Sequence, residues 1–309
     1  MNKMKKIIGF PLFLVVLLTG CDVESPMDTD LYPQKVYIVG AKDKIVDRDL
    51  DIGLLQDTIS ISVAVSGSRA SKQDITVFVK EDPDAIETYN SRELSAEVTH
   101  YQKLQDIIYS YPYKNLTVKA GQVYNTYPIY IKPATLHCDS LYMLALKLSS
   151  PSAYELNDED SVALVRINLS NKYSGLYYMD GIIKNRVDPN DSLVYKMPRT
   201  AAATDDGNTI RIYHFNNEYH NGDLNDYRPT YTFKITVNAD NTLSVASWDR
   251  FDLINGGGKY IPQWKVYDLW YEYRADGKSY KVEGFLYKER KTDEEQRLID
   301  NWMEEQRGL

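Results

Sequence analysis

The chain has 309 residues, with 44 acidic against 36 basic side chains, a formal net charge of −8 and two cysteines. That balance argues against nucleic acid and against lying flat on an anionic membrane, both of which need a basic face. The length suits two domains rather than one, and 26 Tyr beside only seven Phe favour β structure with much half-exposed aromatic surface.

At the start, Lys3, Lys5 and Lys6 precede an apolar run from Ile7 to Leu18 broken by Gly9 and Pro11. A basic start, a short apolar core and small residues ahead of a cut make residues 1–20 a secretory signal, too short and wrongly flanked for a membrane span. The stretch Leu18-Thr19-Gly20-Cys21 resembles the lipobox of bacterial lipoproteins. The resemblance implies that the Cys21 thiol is joined to diacylglycerol and that cleavage leaves Cys21 first in the chain. Acyl chains, at ~0.8 kcal/mol per buried methylene, then give a durable anchor in lipid. The other reading is an ordinary secreted protein with a chance Cys at this position. Without residues 1–20 the three lysines are gone and the net charge moves from −8 to −11. Once Cys21 is lipidated, no second cysteine is left in the chain to form a disulfide with Cys138. No disulfide is expected, and Cys138 reads as a small buried apolar residue.

Residues 21–34 are polar, acidic and contain Pro26 and Pro33, so they read as a tether. Asp22 and Glu24 resemble the acidic export signals of Bacteroidetes surface lipoproteins, which implies the outer leaflet of the outer membrane.

From Lys35 to about Leu169 the chain alternates like strands. The segments are 35–40, 57–65, 74–80, 115–121, 127–132, 140–148 and 161–169. In DTISISVAV, Ile59, Ile61, Val63 and Val65 share one face opposite Ser60, Ser62 and Ala64. A helix at Asp84–Asn90 follows Pro83, with Ala85, Ile86 and Tyr89 on one side. Such short strands, with residues 35–170 as one domain, fit an immunoglobulin-like β-sandwich.

Residues 171–309 form the second domain. Strands are expected at 176–183, 192–197, 209–215, 229–237, 242–248, 250–254, 265–273 and 279–287, separated by turns rich in Asp, Asn and Gly. Eight antiparallel strands with short connections close into an up-and-down barrel, which removes exposed edges. Thr292 caps a short C-terminal helix in which Leu298, Ile299, Trp302 and Met303 are spaced for packing; it is expected to lid one end of the barrel. Leu269, Tyr271 and Tyr273, with Trp248 and Trp270, read as core or barrel lining. The fold class is thus all-β, a sandwich followed by a lipocalin-like barrel.

The segments YIVG, SVAVSG, DITVFVKEDPDAIETYN, TVKAGQVYNTYPIYI and YMLALKL together resemble a domain of unknown function in Bacteroidetes lipoproteins. That domain precedes family-eighteen glycoside hydrolases of the endo-β-N-acetylglucosaminidase kind, and in other members a lipocalin-like domain of unknown function. YSGLYYMDGIIK and DLWYEYRADGKSYKVEGFLYKE are similar to that lipocalin-like partner. The resemblance spans most of the chain and carries no catalytic signature. It implies an accessory protein of a polysaccharide-utilisation system, working beside an outer-membrane transporter and its glycan-capturing lipoprotein.

A family-eighteen hydrolase reading fails on the residues, while a two-carboxylate glycosidase site of another fold stays open as the less favoured alternative, because 44 acidic residues allow many pairs. The Asp-x-x-Asp-x-Asp-x-Glu type of strand end, whose Glu protonates the leaving oxygen, does not occur; Tyr178-Met179-Asp180-Gly181 is followed by Ile-Ile-Lys. Residues 171–309 also fall far short of the ~250 of a (β/α)₈ barrel. Asp249 and Asp252 beside Trp248 read as solvated turn ends. His214 and His220 lack the spacing of a zinc site, and Asn157–Asp160 lacks the glycine and alternation of a calcium loop. Neither a phosphate-cradling glycine loop nor a catalytic triad pattern is present, and Asn255-Gly-Gly-Gly258 reads as a flexible turn. Asp-Ser-hydrophobic triplets at Ser140, Ser161 and Ser192 resemble Bacteroidetes O-glycosylation sites. No catalytic residue, metal or cofactor is assigned.

What remains is sugar binding. A sugar ring has an apolar C–H face and a rim of hydroxyls, so its site wants flat aromatics among carboxylates, amides and guanidinium groups. One loop, 216–228, offers Tyr219, His220, Asn221, Asp223, Tyr227 and Arg228; another, 255–264, offers Tyr260, Gln263 and Trp264. In a meander both are expected to open at one end of the barrel; the other reading of Trp264 is a plug in the barrel mouth. The functional expectation is a non-catalytic, cell-surface lipoprotein whose partners are glycan, membrane lipid and the transport system. The alternative is a structural or adhesion lipoprotein without a small ligand, recognisable by an apolar patch or a strand-accepting groove.

Overall fold

The alternation along the chain is realised as three sheets. The computed structural model describes residues 32–43, 45–204, 206–288, 290 and 292–307. The segments expected to be a signal sequence, a lipobox at Leu18–Cys21 and a tether lie, up to residue 31, outside the described residues.

The first domain contains β1 (Lys35–Ile38), β2 (Ile45–Asp51), β3 (Asp57–Val65), β4 (Ile75–Glu81), α1 (Asp84–Glu93), β5 (Tyr101–Lys103), β6 (Tyr109–Ser110) and β7 (Asn115–Val118). It continues with β8 (Tyr124–Ile131), β9 (Leu141–Ser149), β10 (Glu155–Leu156) and β11 (Val162–Ser170). One sheet runs β10-β1-β3-β8-β6, the other β2-β11-β9-β4-β7, with β5 also paired to β9. Consecutive strands β1 and β2 thus belong to opposite sheets. Facing residues such as Ile61, Val63, Ile75, Val77, Ile129 and Val165 fill the space between the layers. Strand β9 is buried on both faces because α1 covers its outer side, Ile86 packing on Met143, Ala145 and Leu164.

The second domain is one meander: β12 (Gly175–Asn185), β13 (Ser192–Thr204), β14 (Thr209–Tyr213), α2 (Arg228–Tyr231), β15 (Thr232–Val237), β16 (Leu243–Ser247), β17 (Leu253–Ile261), β18 (Val266–Ala275) and β19 (Lys278–Tyr287), followed by α3 (Asp293–Arg307). Its eight-stranded sheet runs β16-β15-β14-β13-β12-β19-β18-β17. The two end strands meet through a bridge between Thr242 and Lys259 and a 2.8 Å bond from the Tyr260 N–H to the Asn241 carbonyl, which brings the barrel nearly to closure. The interior is packed solid: Tyr177, Tyr195, Tyr267, Leu269 and Tyr271 meet Phe233, Ile235 and Leu286. Gly181 and Gly284 are paired across β12 and β19. A Cβ on Gly284 would lie 2.2 Å from the Asp180 carbonyl oxygen, so the two backbones pass where no side chain fits.

Four expectations are corrected here. Residues 255–261 are strand rather than loop, and the strand expected at 250–254 begins only at Leu253 and runs on through the glycines. Gly258, at φ +142, has its missing Cβ 1.9 Å from the Asp268 carbonyl oxygen; glycine there serves close strand approach instead of a turn. Helix α3 does not lid the barrel. Thr292 does cap it, accepting the Glu295 N–H at 3.2 Å, but Ile299 and Met303 pack on Val266, Phe285 and Tyr287, outward residues of the wall. Trp270 faces outward beside Lys281, out of phase with inward Leu269 and Tyr271, and Trp248 also lies outside the barrel. Cys138 is half-buried, because its segment crosses an open seam between the domains.

Candidate functional site

The seam is built by the outer side of β14. Ile210 and Ile212 point into the barrel, so Arg211 and Tyr213 point out, yet each is only 5% exposed because the first domain covers them. Arg211 Nη1 donates to Asp139, on the connection between β8 and β9. Its guanidinium lies 5.6 Å from the Tyr213 ring centre and 5.2 Å from that of Trp248, and Trp248 packs on His137 at 5.7 Å.

Loop 214–231 folds onto the same seam. Asn221 accepts the Thr99 N–H at 2.8 Å and donates to the Thr99 carbonyl at 3.2 Å, a two-point pairing with the first domain. Arg228 is held flat by two bonds to Asp226, 2.9 and 2.8 Å, the bidentate geometry that guanidinium and carboxylate favour. It lies 4.4 Å from the Tyr219 ring centre and 3.4 Å from the Asp139 carboxylate. The Arg228 hydrogen bond holds Asp226 below the usual carboxylate range. Burial pushes the Tyr213 phenol up to about 12, leaving it neutral at ordinary pH.

Together these groups border a cleft of about 160 Å³, lined by Thr99, Cys138, Asp139, Leu141, Arg211, Tyr213, Tyr219, Asn221 and Arg228. It offers fixed guanidinium donors, a carboxylate, an amide and two phenols in the space of roughly one pyranose ring. That chemistry suits hydroxyl recognition. His137, Cys138 and Asp139 bring potential metal-ligating atoms within 4.8 Å of one another. Two guanidinium groups beside the same carboxylate oppose a cation there.

A second, larger concavity lies on the first domain. It measures about 730 Å³ and is lined by Asp84, Ala85, Thr88, Tyr89 and Arg92 of α1, with Lys42, Asp82, Asp158, Glu159, Val162 and Leu164.

Of the residues singled out from sequence, Tyr219, Asn221 and Arg228 come together at the cleft. His220 and Asp223 turn to solvent at the loop tip, the Asp223 carboxylate accepting the His220 N–H at 2.7 Å. Tyr227 packs edge-on against Tyr231. The second group is elsewhere. Tyr260 lies inside the barrel between Tyr173 and Tyr267, and Trp264 is packed beneath α3. Gln263 is exposed on the β17–β18 turn. Successive meander connections alternate between the two ends of a barrel, and the β14–β15 and β17–β18 connections are three apart. The two groups therefore sit at opposite ends, and the expectation of a shared mouth is corrected. Asp139, Arg211 and Tyr213 were missed. The available signal was an arginine and a tyrosine on the outward phase of strand TIRIY, whose Ile210 and Ile212 face inward.

A family model described as an N-terminal domain matches residues 32–155, and one described as a C-terminal domain matches residues 161–287. No curated protein matches the chain. Among solved structures, a Bacteroides ovatus protein of unknown function superposes with a TM-score of 0.61 at 18% identity, covering 82% of this chain and 94% of the other. A Bacteroides ovatus multidomain protein including DUF1735 gives 0.57 at 19% identity, covering 81% and 93%. A Bacteroides thetaiotaomicron structure described as an auxiliary nutrient binding protein gives 0.54 at 15% identity, covering 79% and 90%. These likenesses establish a common fold. β11 pairs within the sandwich although the C-terminal family match begins at residue 161. The chain is therefore similar to the first family's model over residues 32–155 and to the second's over residues 161–287, and it shares its all-β fold with Bacteroides proteins of unknown function.

Proposed function

We propose that this chain is a lipid-anchored outer-membrane protein, exposed at the cell surface, that captures glycan without chemistry and serves an import system of transporter and capturing lipoprotein. The observation that carries the reading is the interdomain cleft, where Tyr219, Asn221 and Arg228 of the barrel loop meet Asp139 of the sandwich and Arg211 of the wall. Planar groups already locked by one another, as Arg228 is by Asp226 and Asn221 by Thr99, spend little entropy on a sugar. The carboxylate lining this cleft, Asp139, is engaged by two guanidinium groups; glycoside hydrolysis asks instead for a free acid facing a second carboxylate. The fold shared with an auxiliary nutrient binding protein is in keeping with capture, and the lipobox-like Leu18–Cys21 with the anchor.

The test is affinity electrophoresis of residues 22–309 through gels cast with a broad panel of host and plant glycans. Retardation by at least one glycan, weakened about tenfold in Arg228→Ala, is expected. A panel with no retardation overturns capture and favours an assembly role.

A further inference from the structure

We propose that the first-domain groove is a second glycan site, selective for amino-sugar chains over acidic ones; this deepens the capture reading and rests on it. The groove lies along one face of α1, where Asp84, Thr88 and Arg92 are spaced by four residues and so align above one another. Its opposite bank is the 3-10 turn Asp158–Asp160 with Val162 and Leu164 of β11.

Size is the first argument. At about 730 Å³ the groove lies within the range of built ligand sites and holds several sugar rings in a row, where the interdomain cleft holds one. Surface chemistry is the second. Ala85, Tyr89, Val162 and Leu164 supply an apolar floor, and Tyr89 is braced edge-on by Tyr101 at 5.9 Å, the kind of fixed ring on which a C–H face of sugar settles. Thr88 and the rim carboxylates offer hydroxyl partners.

Charge decides the class. Among the described residues lining the groove, Asp82, Asp84, Asp158 and Glu159 stand against Lys42 and Arg92, and Arg92 Nε is already bonded to Glu93 at 2.6 Å. Lys147 stands 3.7 Å from Asp82 and offsets one carboxylate. The remaining excess is negative, which repels uronate and sulfate groups and attracts protonated amines. The interdomain cleft, with two arginines against one carboxylate on its lining, has the opposite bias.

The experiment titrates residues 22–309 by calorimetry with three hexasaccharides of different charge: the glucosamine β-1,4-hexamer, its N-acetylated form and hexagalacturonate. The glucosamine hexamer is expected to bind at least tenfold more tightly than hexagalacturonate, with the difference shrinking between 20 and 300 mM salt as the charges are screened. Tyr89→Ala should weaken the glucosamine hexamer about tenfold. Asp158→Asn with Glu159→Gln, two exposed turn substitutions, should remove most of its advantage over the N-acetylated form. The same titrations are repeated in Arg228→Ala, which removes the cleft's contribution; the preference for the glucosamine hexamer over hexagalacturonate and its loss in Tyr89→Ala should persist in that background. Equal binding of hexagalacturonate, no binding of the glucosamine hexamer, or insensitivity to Tyr89→Ala with fold intact by circular dichroism each overturns the groove. A pentalysine peptide that binds while all three sugars fail overturns it as well and marks the groove as a peptide site. Each of these outcomes leaves the cleft to be judged separately through its own panel and Arg228→Ala.

Discussion

Acidification should loosen the barrel through one side chain. His214 is buried at the end of β14, stacked on Phe251 at 5.2 Å and packed on Tyr273 at 4.3 Å, with Nδ1 bonded to the Tyr271 hydroxyl at 2.7 Å. Burial, and then the nearby Arg199 charge, lower its pKa from 6.5 to about 3. The folded protein therefore holds His214 neutral, while the unfolded chain takes up a proton once the pH falls below about 6.5. Stability is unaffected above that value, declines as the pH falls, and the loss levels off near pH 3. At ~1.4 kcal/mol per pH unit across that window, the passage from pH 7.5 to pH 5 costs about 2 kcal/mol. Urea unfolding followed by tryptophan fluorescence measures it, with His214→Gln as the comparison, since an amide keeps a partner for Tyr271 and does not titrate in this range. Wild type should lose about 2 kcal/mol more than the variant over that interval. Parallel losses, within about 0.5 kcal/mol, would refute the reasoning.

Gly284→Ala should destabilise the barrel by roughly 3 kcal/mol, because its Cβ lands on the Asp180 carbonyl of the neighbouring strand; the urea midpoint reads the effect. Asp139→Ala should cost roughly 3 kcal/mol by leaving the buried Arg211 guanidinium without its carboxylate, and limited proteolysis should then find the connection between the domains. Trp264→Ala should leave glycan retardation unchanged and lower stability by roughly 2 kcal/mol, because the ring packs under α3. Cys21→Ser should leave the protein soluble in the periplasm and unlabelled by a palmitate analogue; retention in the membrane fraction would remove the lipid anchor.

Alternation was the readable part of the fold because a two-sheet sandwich with one wet face prints its burial directly on the chain. Ile59 and Ile61 are buried while the intervening serines are not, as the sequence pattern implied. β2 escaped notice because Val46 and Leu50 are its only buried positions among IVDRDLD, and its charges pair laterally, Asp47 with Arg166 of β11 at 2.5 Å. The glycines of β17 read as a turn because the reason for them lies in other strands: Gly256 has Val245 of β16 and Tyr271 of β18 where a side chain would stand.

Site residues were legible by composition and illegible by orientation. Loop 216–228 announced itself as polar, aromatic and long, yet what it faces is set by Thr99, 122 positions upstream of Asn221, and Asp139, 72 upstream of Arg211. No local pattern encodes contacts of that separation, and both partners lie in the other domain. The relative position of the two candidate loops was a different matter. Once the barrel is taken as a meander, every connection changes ends, so the connections after the third and sixth strands must open on opposite sides whatever their residues are. Topology alone separates Trp264 from Tyr219. A ligand held by the latter is therefore reached across the domain seam, not through the barrel, whose interior the tyrosines already occupy.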